Sequence, residues 1–245
     1  MFILLRLLLA HFIGDFVLQT NRIYAQKFKG ITGVIPHSFV VAISVLVFTW
    51  PYLGLLATWI FILFVFTTHL VQDWIKANYI KIKGSFWIYI LDQALHIAAM
   101  FAALFTPLKN LKPPESSNNP LVLLYNNNIL MLYLIGIIIA TYNGYYIISN
   151  FKKTFLSYRQ EWDYSAFGKW YGIIERGGIV TLFFIGGHYV ALLPLVIIAR
   201  PLFYMLAKSK FDINVEFNSL LEVVLSSCVG IITGLSLSIA LRYIS

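Results

Sequence analysis

The chain has 245 residues, of which 60% are hydrophobic and only 11% charged, with a formal net charge of +8 and a mean hydropathy of +0.80. A soluble domain carries about 25% charged residues, so this composition excludes an ordinary soluble fold and points to an integral membrane protein. The positive charge does not indicate nucleic-acid binding, because no basic arm or aromatic-basic repeat carries it. The single Cys228 excludes an intrachain disulfide and a cysteine metal site.

A helix needs about 20 apolar residues to cross the hydrocarbon core. That criterion predicts an all-α, polytopic transmembrane helical bundle of eight spans, roughly 2–19, 33–50, 54–74, 86–106, 128–149, 170–185, 188–206 and 219–241. Seven spans, with a long kinked sixth, is the alternative at the Gly186-Gly187-His188 boundary. The first apolar run is interrupted by His11 and Asp15 and followed by no small-residue cleavage site, so it reads as a retained span rather than a signal peptide.

Lys and Arg are unequally divided among the loops. Arg22, Lys27 and Lys29 lie in the first, Lys76, Lys81 and Lys83 in the third, Lys152, Lys153, Arg159 and Lys169 in the fifth, and Lys208 and Lys210 in the seventh. The positive-inside rule then puts the odd loops in the cytoplasm and both termini outside. The stretch 107–127, with Lys-Pro-Pro-Glu-Ser-Ser-Asn-Asn-Pro at its centre, has linker character and is expected to be an external, mobile loop. It separates a site-bearing half, 1–106, from a second half, 128–245, within one integral membrane domain.

The first half carries the chemistry. A histidine and an aspartate stand four apart three times, in His11/Asp15, His69/Asp73 and Asp92/His96, with a further His37 between them. On a helix that spacing stacks two side chains on one face, one turn apart. The alternating spans bring all of them toward the cytoplasmic leaflet, with Asp15 roughly 7 Å and Asp92 about 9 Å from the span ends. An ionised aspartate in hydrocarbon costs at least about 2.5–3.5 kcal/mol and needs a partner or a cation.

A metal centre explains three such pairs and His37 at one depth; a proton relay or ion pathway, and hydrogen-bonded helix glue, are the competing readings. Imidazole and carboxylate ligands without thiolate suit a divalent transition metal, Zn²⁺ or Mn²⁺ foremost, as one ion or two. His11, Asp15, His69, Asp73, Asp92 and His96 are the candidate ligands, and His37 a ligand or proton shuttle. Gln19, Gln72 and Gln93 could orient them by hydrogen bonds.

In the second half, Tyr-Gly-Ile-Ile-Glu-Arg-Gly-Gly (171–178) places Glu175 and Arg176 a turn into the membrane, and Arg200 approaches the same leaflet. Glu175 is a candidate general base, and Arg176 with Arg200 a candidate anchor for a carboxylate or phosphate; a snorkelling interfacial pair is the alternative. His188 sits in an outer hairpin, apart from the site. Gly230 and Gly234 form a Gly-x-x-x-Gly face beside Ser226 and Ser227, suited to close helix packing within the chain or between two copies.

The order His-x-x-x-Asp-x-x-x-Gln, His, His-x-x-x-Asp, Asp-Gln-x-x-His resembles a bacterial family of polytopic membrane proteins catalogued only as a domain of unknown function, and Gly-Ile-Ile-Glu-Arg at 172–176 is similar to its C-terminal half. That resemblance implies a multi-pass protein of the bacterial inner membrane. A looser similarity, in motif style, links the His/Asp spacing to membrane-bound metal-dependent hydrolases. These readings lead to a metal-dependent hydrolase of a lipid or other membrane-embedded substrate, with a divalent-cation or proton-coupled transporter as the alternative.

Overall fold

The computed structural model describes residues 2–79, 85–115, 118–156, 166–207 and 220–243. Lys81, Lys83, Arg159, Lys208 and Lys210 of the predicted loops lie outside the described residues. Every regular element among the described residues is helical. Six helices are long and apolar enough to cross a membrane, or seven if the bent pair at the N-terminus counts as one span. Among the described residues the count thus reaches seven at most, the lower of the two numbers expected. The run at 170–185 lies in a helix, Ala166–Ile185, that carries Lys169, Glu175 and Arg176, and the one at 2–19 breaks, as described below.

The distribution of residue types suits a lipid solvent. Leu56, Leu63, Leu195, Met205 and Leu206 are exposed, whereas four histidines, three aspartates and three arginines are buried. Burying charge while presenting leucine outward is the reverse of a water-soluble surface.

The chain divides into two compact units, Met1–Ile135 and Gly136–Ser245. In the first, α1 (Phe2–Phe12) is apolar but for Arg6 and His11 and is buried along nearly its whole length, as a central helix must be. A π-helical turn, Ile13–Val17, continues it. The path then bends by 80° into Asn21–Lys29, made of α2 (Asn21–Gln26) and a 3₁₀ turn, Lys27–Lys29. Thr20 caps α2 by accepting from the Ile23 N–H at 3.3 Å. Gly30, at φ 83°, reverses the chain into α3 (Ile31–Phe48), a conformation that favours glycine. Next come α4 (Leu56–Tyr79) and α5 (Phe86–Phe101). The core is built from Leu7 and Ala10 of α1, Val41 and Val45 of α3, Phe61 and Val65 of α4, and Ala99 and Met100 of α5.

The expected linker has structure of its own. It contains a 3₁₀ turn, Pro107–Asn110, and α6 (Pro120–Asn126). Leu108 joins the core, and Val122 and Tyr125 are buried. Those apolar side chains within a Pro/Asn-rich stretch tie it to the first unit. Arg6 adds a polar staple: its Nε donates to the Tyr125 carbonyl at 3.1 Å and its Nη1 to the Phe2 carbonyl at 2.9 Å, and it also bonds Asn128.

Helix α7 (Asn128–Ile138) leads into the second unit through another π-helical turn, Ile139–Asn143, and α8 (Gly144–Phe155). Then follow α9 (Ala166–Ile185), a 3₁₀ segment Gly187–Leu192, α10 (Leu193–Ala207) and α11 (Leu220–Leu241). Gly186 and Gly187, at φ 73° and 57°, separate α9 from the next span. Helices α9 and α11 pack closely because a Cβ on Gly230 would meet Ile179 at 3.0 Å, and one on Gly234 would meet Phe183 at 2.4 Å. The Gly-x-x-x-Gly face is thus occupied within the unit.

Candidate metal centre

The histidines of the first unit each lie one turn or less beyond a core residue, and all at the same end of the core. Ala10 precedes His11, Val65 precedes His69 by four, and Val41 and Ala99 follow His37 and His96 by four and three. Four helices that share one core therefore deliver four imidazoles to one place. His11 and His37 are fully buried, and His69 and His96 are 2% exposed.

The π turn decides where Asp15 goes. A π turn is wider than an α turn, so residues four apart no longer sit one above the other. His69/Asp73 and His96/Asp92 keep their predicted stacking, at 3.5 and 3.6 Å. Asp15 turns instead to α3 and α4, where its Oδ1 lies 2.9 Å from His37 Nε2 and 3.8 Å from His69 Nε2. Gly14 makes this possible: a Cβ there would stand 2.9 Å from the Val41 Cα, so only glycine lets α3 approach so closely.

Two ligand triads result, Asp15/His37/His69 and His69/Asp73/His96, each with its ligand atoms within 4.8 Å of one another. Asp73 Oδ2 is 3.6 Å from His37 Nε2 and 3.5 Å from His69 Nε2, while its Oδ1 is 3.7 Å from His96 Nε2. Bonds of about 2.0–2.1 Å in a tetrahedral site put neighbouring ligand atoms about 3.3 Å apart, so these spacings suit a transition metal after small adjustments. His37 Nε2 is bonded to Asp15 Oδ1 at 2.9 Å, but other nitrogens offered have no such bond among the described residues. His69 Nε2 and His96 Nε2 are buried without a hydrogen-bond partner, as are both ring nitrogens of His11, an arrangement that apolar burial disfavours.

Not every predicted ligand sits in a triad. His11 stands beside them, its ring 5.5 Å from that of His96 and 5.8 Å from that of His69. Asp92 is ion-paired with Lys76. Gln93 Nε2 donates to Asp15 Oδ2 at 3.2 Å, while the Oε1 atoms of Gln19, Gln72 and Gln93 have no hydrogen-bond partner among the described residues.

Two lysines join the cluster that sequence reading assigned only to loops. Lys27 Nζ stands 2.8 Å from Asp73 Oδ2, and Lys76 reaches Asp92. Lys76 was legible, since positions 69, 73 and 76 share one helix face. Lys27 was not, because only the 80° bend brings it back to the cluster.

In the second unit, Glu175, Arg176 and Arg200 form a cluster of their own. Glu175 Oε2 accepts from Ser226 Oγ at 2.8 Å and from Arg200. Arg176 donates to Ser226 Oγ at 3.1 Å and to the Ala140 and Thr141 carbonyls at 2.6 and 3.0 Å. Those carbonyls belong to the second π turn, whose irregular backbone needs outside donors. Arg176, predicted as an anion anchor, here completes a backbone hydrogen-bond set. Glu175, predicted as a base, is held in an ion pair. Ser226 bridges all three side chains, a role readable from its register with Gly230 and Gly234 on the face that meets α9. His188 is exposed in the 3₁₀ segment.

Residues 3–124 match a family model described as a protein of unknown function (DUF3307). The match spans every histidine and aspartate of the cluster and stops short of Gly172–Arg176. No curated protein and no solved structure matches the chain, so the comparisons lend no support to the looser hydrolase similarity.

Proposed function

We propose that the first unit is an intramembrane metal centre and that the protein uses it as a metal-dependent hydrolase of a lipid or other membrane-embedded substrate. The observation that carries this reading is the pair of buried His/Asp triads sharing His69. One ring nitrogen serves one ion, so the sharing favours a single Zn²⁺ or Mn²⁺ over two. Asp15, His37, His69 and Asp73 would hold it, with His96 and Asp73 Oδ1 beside it.

A metal in such a site supplies an activated water at neutral pH. The chain's own residues supply the rest. Gln93 fixes the Asp15 carboxylate, and Lys76 fixes Asp92 next to His96. His96, set between two carboxylates, can take a proton from the attacking water and return it to the departing alcohol or phosphate. The apolar exterior gives a lipid ester or phosphoester a route to the site without passing through water. By the positive-inside rule, Lys27, Lys29 and Lys76 beside the cluster put the site at the cytoplasmic leaflet of a bacterial inner membrane.

Elemental analysis of detergent-purified protein tests the metal. We expect about one equivalent of transition metal, lost in Asp15→Ala/Asp73→Ala, and metal-dependent release of product from phospholipid vesicles. Absence of metal from the folded wild-type protein would overturn the reading. A divalent-cation transporter is the second reading, favoured by Lys27 and Lys76, because ammonium groups on carboxylates can trade places with a passing cation. Zinc uptake into proteoliposomes without lipid turnover would select it.

A further inference from the structure

The cluster already holds two cations of its own. Asp15, Asp73 and Asp92 bring three carboxylates, and Lys27 and Lys76 bring two ammonium groups. Before any imidazole is counted, these groups leave a single negative charge. A divalent ion added to this set would leave buried positive charge in excess, and losing one ammonium reduces that excess. Burying an uncompensated charge is costly.

Geometry identifies which ammonium leaves. Lys27 Nζ sits 2.8 Å from Asp73 Oδ2, the oxygen that faces both His37 Nε2 at 3.6 Å and His69 Nε2 at 3.5 Å. A metal held by that oxygen would share it with the ammonium, and two cations on one carboxylate oxygen repel strongly. Lys76 instead holds Asp92, which belongs to neither triad. Lys27 is also placed to leave. Its helix α2 and 3₁₀ turn contain no buried residue, and its own side chain is already 12% exposed. A rotation of its four-carbon stem removes the charge without unpacking a helix.

We infer that Lys27 is an exchangeable internal counter-ion of the centre: it neutralises Asp73 when no metal is bound and is displaced outward when a divalent transition metal enters. This rests on the metal reading above. It makes loading a cation exchange, which keeps the buried carboxylates neutralised in both states and sets the affinity below that of the bare ligand set.

The test uses full-length protein in detergent, zinc chloride alone as the ligand, and two readouts. Titration calorimetry should show Lys27→Met binding zinc about tenfold tighter than wild type, with Lys27→Arg close to wild type. In the unmutated protein, acylation of Lys27 by an amine-reactive ester, followed by mass spectrometry, should rise several-fold on adding zinc, while exposed Lys29 stays constant. The acylation result decides if Lys27→Met fails to fold. If wild type binds zinc and Lys27 acylation is unchanged, the exchange is overturned and the metal centre stands. If neither wild type nor variant binds zinc, both are overturned.

Discussion

His69 is the ligand common to both triads, so replacing it tests the centre most directly. His69→Gln retains most of the side-chain volume and a polar end, which limits the cavity that alanine would leave among rings 4.2 and 4.9 Å away. What remains is Asp15 with His37, and Asp73 with His96, neither of which is a triad. A structural zinc site contributes about 10–16 kcal/mol in apparent binding free energy. Shared among four ligands, that is about 3 kcal/mol each, or about a hundredfold in affinity. The assay is competition with a chelator of known affinity, read by elemental analysis, beside thermal unfolding of the metal-free proteins. We expect zinc affinity to fall about a hundredfold while the metal-free unfolding midpoint moves little. A His69→Gln protein that binds zinc as tightly as wild type would refute the assignment of both triads.

Other perturbations reach the same architecture from different sides. Gly14→Ala forces a Cβ to 2.9 Å from the Val41 backbone, so α3 must shift; zinc affinity should drop about tenfold or more, since ligand geometry is sensitive to small displacements. Lowering the pH through the ordinary imidazole range, about 6.5, should release metal, because ligand nitrogens that gain protons cannot coordinate; metal content constant from pH 8 to pH 5 would contradict histidine ligation. Gly234→Ala places a Cβ 2.4 Å from Phe183 and should destabilise the protein by about 1–3 kcal/mol through overpacking, seen as a lower unfolding midpoint. Ser226→Ala removes the hydroxyl that bonds Glu175, Arg176 and Arg200. Hydrogen bonds to charged groups contribute about 1.5–3 kcal/mol each, so a loss of about 3 kcal/mol is expected, and an unchanged midpoint would argue against the bridge.

Composition pointed to the solvent, where a backbone is satisfied only in helices or a closed barrel, and apolar runs of about 20 residues decided for helices. The four-residue His/Asp spacing was legible too, since α-helical geometry turns spacing into shared faces. That held for His69/Asp73 and Asp92/His96, whose helices are regular there. It did not hold for His11/Asp15, where a π turn intervenes. Local sequence does not announce such a turn; it is stabilised by the close approach of α3 over Gly14.

Two of the apolar runs were harder to read for a related reason. Apolar run length says nothing about an 80° bend after Val17, nor about how three charged residues in α9 are accommodated. Charge partners were the least legible feature. Whether Lys27 is a loop charge or a counter-ion of Asp73 depends on where a bent segment lands, and ion pairs form between groups 46 positions apart as readily as between neighbours. Residue types and spacing thus determined which side chains could form a centre. Helix packing and backbone irregularity, which act across the chain rather than along it, decided which atoms meet and which cations already stand among them.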